Sequence, residues 1–138
     1  MENLKEANTD FLLEIGLESL HQESSKWISE INLWKLELSF FQKLLDKYSK
    51  NFSTEKQRKE LDHFQNLITY YNGELLDQFM QKIRKHEKSL VGELKNDIKI
   101  DETIYRKKHW EIANEIKSLA GEYYHNKKNF FKFIESVL

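Results

Sequence analysis

Apolar side chains recur at alternating steps of four and three through the first 50 residues. They are Leu13, Leu17 and Leu20, then Trp27, Ile31, Trp34, Leu38, Phe41, Leu45 and Tyr48, with Ser24 interrupting the series. A mean step near 3.5 residues keeps one face of a helix continuously apolar, so this stretch predicts one long helix with its seam against other helices. The pattern breaks at Asn51-Phe52-Ser53-Thr54 and resumes with Leu61, Phe64, Ile68, Tyr71 or Asn72, Leu75, Phe79, Ile83, His86 and Leu90. Its steps slip once, near Asn72-Gly73, and such a slip changes helix winding locally. Residues 91–101 have poorer periodicity and contain Gly92, which marks a second turn. A third face follows with Tyr105, His109, Ile112, Ile116, Leu119, Tyr123, Phe130, Ile134 and Val137.

These faces predict helix 1 over about 10–50, starting at a cap among Asn8 to Asp10, helix 2 over about 54–90, capped by Ser53 or Thr54, and helix 3 over about 102–137. Short connections make neighbours antiparallel. The expected fold is therefore all-α: a single-domain, up-down-up bundle of three long helices. A break of helix 1 at Gly16 or Ser24-Ser25 would add a short N-terminal helix.

Composition permits this and narrows the chemistry. The 138 residues contain no proline and four glycines, so long helices run unbroken; 39% are hydrophobic and 33% charged, a globular balance. No cysteine is present, which removes disulfides, thiolate metal sites and cysteine nucleophiles. No run is apolar enough to span a membrane and no secretory signal opens the chain, so a cytoplasmic protein with no membrane partner is expected. The net charge of −1 gives no pull towards nucleic acid. The charge is uneven, however. Residues 1–37 carry net −5, while bases gather at Lys82, Arg84, Lys85 and Lys88 and at Arg106, Lys107 and Lys108. An up-down-up path lays the acidic start of helix 1 beside both basic clusters. No phosphate-binding loop, nucleophile elbow or kinase motif occurs, so no catalytic residue is assigned and a non-enzymatic protein is expected.

Helix 1 carries more apolar surface than one seam requires. Leu33, Phe40 and Leu44 form a second stripe roughly 110° from the first, with Leu36 just beyond and Phe11 and Ile15 extending the flank. Two readings stand: a wide face packed on both other helices, or an interface for a second copy or a partner helix. The second makes the protein an interaction or scaffold module, most simply a homodimer.

Three Glu-x-x-His pairs occur, Glu18/His21, Glu60/His63 and Glu122/His125, a spacing that di-iron bundles use. All three histidines fall roughly 140–180° from the core stripes, so they point outward or to a partner and no metal is assigned to them. His86 and His109 instead lie on core stripes and face each other across helices 2 and 3. They form a polar core layer or, as an alternative function, a ligand pair for a metal or haem iron. No cofactor is assigned.

At Trp27-x6-Trp34-x2-Glu37-Leu38-x-Phe40-Phe41-x2-Leu44-Leu45, His63-Phe64-Gln65-Asn66 and His86-Glu87, the chain resembles small uncharacterised helical proteins of Bacteroidota. The resemblance covers residues 25–90. It implies a bacterial cytoplasm and brings no activity, cofactor or partner.

Overall fold

A computed structural model describes the backbone of residues 2–95 and 102–138 and the side chains of residues 16–89 and 102–138. Among these residues the secondary structure is helical, with no strand. Helix α1 spans Glu2–Tyr48 and ends in a 3-10 turn at Ser49–Asn51; α2 spans Glu55–Tyr70, a π-helical turn Tyr71–Leu75, α3 Leu76–Lys95 and α4 Glu102–Glu135. The start of α1 lies earlier than the candidate caps Asn8 to Asp10. The helix also runs through Gly16 and Ser24-Ser25, so the short N-terminal helix is part of α1. One internal glycine costs a helix only about 1 kcal/mol. At Gly16 a Cβ would meet the Arg106 guanidinium at 2.7 Å, so the absence of a side chain lets that group rest against α1, and a larger residue would require the flexible arginine to shift. The turn expected at 91–101 begins later, because α3 continues to Lys95; residues 96–101 lie outside the described residues.

Thr54 caps α2 with a full capping box. Its hydroxyl accepts from the Gln57 N–H (3.1 Å), and the Gln57 side chain accepts from the Thr54 N–H (3.2 Å). The loop residue Phe52, outside every heptad position, is fully buried and stacks on Phe133 of α4 at 4.2 Å between ring centres.

From Ser24 to Leu45 the first stripe of α1 behaves as its periodicity predicts: Trp27, Ile31, Trp34, Leu38, Phe41 and Leu45 are buried, and Ser24 with them, whereas Leu17, Leu20 and Tyr48 are only partly buried and the Leu13 side chain lies outside the described residues. α1 packs on α2, α3 and α4. Partners on α2 and α3 fall in sequence as α1 rises, from His21 with Glu87, through Lys35 with Asp77, to Gln42 with Gln65. Partners on α4 rise with it, from Glu23 with His109, through Trp34 with Tyr123, to Phe41 with Phe130.

The π turn changes the reading of helix 2. Backbone angles stay right-handed helical at Tyr71 and Leu76, so α2 and α3 form one rod with a wider turn inside it. The turn falls where the steps slip. It makes the inward step after Tyr71 five residues long, and the core continues with Leu76, Met80, Ile83 and His86. Leu75 and Phe79, expected in the core, are displaced to its edge and only partly buried.

Candidate functional site

Two places on this frame carry candidate residues. The first is the outer side of α1. Leu33, Leu36 and Phe40 keep 56%, 71% and 56% of their surface exposed, so the packing of α1 on three helices leaves them uncovered. Leu44 differs, being partly buried against the core. Phe11 and Ile15 lie outside the described side chains. Phe131 was not expected here. It is exposed on α4, and its ring meets Phe41 edge-on at 5.3 Å; Phe41 in turn contacts Phe40 at 6.4 Å. Tyr124 and Trp110 are likewise exposed on α4. Each directly follows a buried aromatic or histidine, and a helix turns such a neighbour about 100° off the core face. That adjacency was the available signal.

Glu37 borders the ridge, but its charge is used internally. It accepts from the Tyr123 hydroxyl at 2.9 Å and pairs with Lys127. Burial and this carboxylate push the Tyr123 hydroxyl pKa up, so it stays a donor. The exposed charges next along the ridge are Lys43 and Lys47.

The second place is the histidine layer near the other end of the core. His86 and His109 are 2% and 3% exposed, and His86 Nε2 lies 3.0 Å from His109 Nδ1. On the far side, His109 Nε2 is 3.4 Å from Glu23 Oε1. A carboxylate only accepts, so this chain assigns the protons: His109 donates from Nε2 to Glu23, and its Nδ1 accepts from His86 Nε2–H. Trp27 stacks on His109 at 4.6 Å and Tyr105 on His86 at 4.3 Å. Burial lowers both imidazole pKa values, that of His86 to about 4, with His109 beside it adding to the effect; for His109 the Glu23 carboxylate opposes the shift. Burial also pushes the Tyr105 hydroxyl up to about 12. The pair is therefore neutral near pH 7.

The layer is incompletely satisfied. Ser24 Oγ, Tyr105 Oη and Glu87 Oε1 are buried with no hydrogen-bond partner among the described residues. His21, expected to point outward or to a partner, stays partly exposed and has Nδ1 2.7 Å from Glu87 Oε2 of α3. His63 and His125 are exposed, and His125 meets Asn129 at 3.2 Å. Among the described residues no three His, Asp or Glu side chains are placed to hold a metal ion. With metal–nitrogen bonds of about 2 Å, two imidazoles on opposite sides of an iron stand about 4 Å apart. The nitrogens of His86 and His109 are closer and engage each other. The basic clusters are also partly committed: Lys82 pairs with Glu115 at 2.6 Å, and Arg106 rests on α1.

A third feature emerges only from the assembled rods. Leu67, Tyr70, Tyr71, Leu75 and Phe79 face Asn114, Glu115, Ser118, Leu119, Glu122, His125 and Asn126 of α4 across an open groove of about 810 Å³. No α1 residue lines it. At its base the Asn126 amide donates to the Tyr71 hydroxyl at 3.3 Å.

No family model, curated protein or solved structure matches the chain. Among the described residues no helix is long and apolar enough to cross a membrane. The fold and sites thus define the class only as an all-helical protein.

Proposed function

We propose that this chain is a non-enzymatic helical interaction module that self-associates, or binds a helical partner, through the outer side of α1. The order of contacts along the rods supports an up-down-up bundle as its frame. The Bacteroidota resemblance, together with the lack of a spanning helix among the described residues, supports a bacterial cytoplasm as its setting. One observation carries the reading: Leu33, Leu36 and Phe40 stay exposed as an apolar ridge on the outer side of α1, although its core stripe from Trp27 to Leu45 is already buried.

Magnitude supports it. At roughly 200 Å² for a large side chain, these three and the half-exposed Phe131 present on the order of 450 Å² of apolar surface, the size of the largest patch on an ordinary monomer, which is often functional. Burying such a face against an equal one removes about 900 Å², close to the roughly 1,000 Å² that a specific interface needs. The histidine layer supports the reading indirectly, since a buried polar layer can set register between helices without any catalytic task.

Sedimentation equilibrium of the pure protein tests self-association. Mass should rise with concentration, and Leu36→Glu with Phe40→Glu should return it to the monomer while helix content is unchanged. A wild-type chain that stays monomeric at high concentration would remove self-association and leave only a heteromeric partner for the ridge.

A further inference from the structure

We propose that the ridge on α1 docks into the α4 groove of a second copy, so that chains associate head to tail. This rests on the self-association proposed above and names the surface that receives the ridge.

The two features are compatible in length and match in chemistry and charge. From Leu33 to Phe40 the ridge extends about 11 Å, so it fits within the α4 wall of the groove, Asn114 to Asn126, which extends about 18 Å at 1.5 Å per residue. The groove has an apolar lining of Leu67, Tyr70, Leu75, Phe79 and Leu119, much of it created when the π turn displaces Leu75 and Phe79 from the core. π turns recur at functional places in helices because they change which side chains a helix presents. An apolar helix face laid in such a groove is a common mode of helix recognition. Exposed Lys43 and Lys47 extend the ridge. Glu122 stands on the groove wall, and Glu74 is exposed on the adjoining π turn. Glu115 is already engaged by Lys82, so Glu122 and Glu74 are the acids left to meet the lysines.

The same chain cannot satisfy itself. Leu33 and Phe40 project from α1 well away from its core stripe, by roughly 120° or more on a 100° wheel. The groove lies between the α2–α3 rod and α4 and takes no lining from α1. Ridge and groove are thus different surfaces, and a contact between them is heterologous: it closes into a ring or continues as an open series.

The test uses two full-length variants altered only at exposed positions. Leu36→Glu with Phe40→Glu disables the ridge. Asn114→Arg with Ser118→Arg fills the groove and repels Lys43 and Lys47. Circular dichroism checks that each keeps its helix content. Sedimentation should show each variant alone weakened at least about tenfold in self-association. An equimolar mixture should form a one-to-one heterodimer and nothing larger, because one intact ridge and one intact groove remain. Self-association of the wild type should weaken as salt is raised. If the groove variant associates like the wild type while the ridge variant does not, the contact is ridge to ridge; the inference falls and the α1 reading survives. If the ridge variant associates like the wild type, both fall.

Discussion

The two ends of the core solve the same packing problem with opposite materials. At one end Phe41, Phe52, Phe64, Phe130 and Phe133 meet ring to ring, at 4.2 to 5.5 Å between centres for the Phe52–Phe133, Phe41–Phe130, Phe64–Phe133 and Phe64–Phe130 pairs. At the other, Ser24, His86, His109 and Tyr105 place polar groups in an equally buried layer, flanked by Trp27. The aromatic end needs only shape and area. The histidine end also needs a proton in the right place on each ring, and it still leaves three oxygens without a partner among the described residues. Stability at the first end should depend on volume and hardly on pH. At the second it should depend on pH and on the identity of single atoms.

The largest difference should come from volume. Phe130 touches Phe41 and Phe64, so Phe130→Ala should lower unfolding free energy by about 3–5 kcal/mol in urea titrations, with the pH dependence unchanged. Acid comes next. An unfolded histidine titrates near 6.5 and folded His86 near 4, so between these values the unfolded chain binds more protons. The contribution is complete above about pH 6.5 and is lost as pH falls towards about 4. From His86 alone it is on the order of 3 kcal/mol, and the lowered pKa of His109 acts in the same direction. Urea titrations across that range should show the loss, and a flat profile would contradict the buried neutral pair.

Removing one ring should cost less. His109→Leu leaves His86 Nε2–H and Glu23 without their partner, for about 1–3 kcal/mol. Replacing both histidines by leucine should cost less than the sum of the single changes, as a double-mutant cycle would reveal. The smallest effect has the opposite sign. Ser24 is fully buried and its hydroxyl has no partner among the described residues, so Ser24→Ala should leave stability unchanged or raise it by up to about 1 kcal/mol. A clear loss would mean that the hydroxyl bonds a group bound in that layer.

Much of the frame is legible along the chain because helix periodicity is local. The α1 stripe from Trp27 to Leu45, the break before Thr54, the slip at Asn72-Gly73 and the inward placing of His86 and His109 all follow from 3.6 residues per turn and from capping chemistry. The excess apolar stripe was legible too, though not whether it would be covered, since that depends on where the other helices lie. The Glu87 contact of His21 was illegible for the same reason: a helical wheel drawn on α1 alone puts His21 off the core but does not include Glu87, which α3 brings within 2.7 Å.

The residues by themselves therefore determined that the chain is helical, where its α1 core stripe runs and which two histidines lie on core faces. Only the tertiary structure decided that the slip becomes a π turn, that Leu76 and Met80 replace Leu75 and Phe79 in the core, that Phe52 folds in from a loop and that a groove opens beside α4. The physical reason is one of range. Periodicity is written within each helix by backbone geometry, whereas the register across a wider turn, and the choice of which apolar side chains are covered, is decided by packing between helices far apart in sequence.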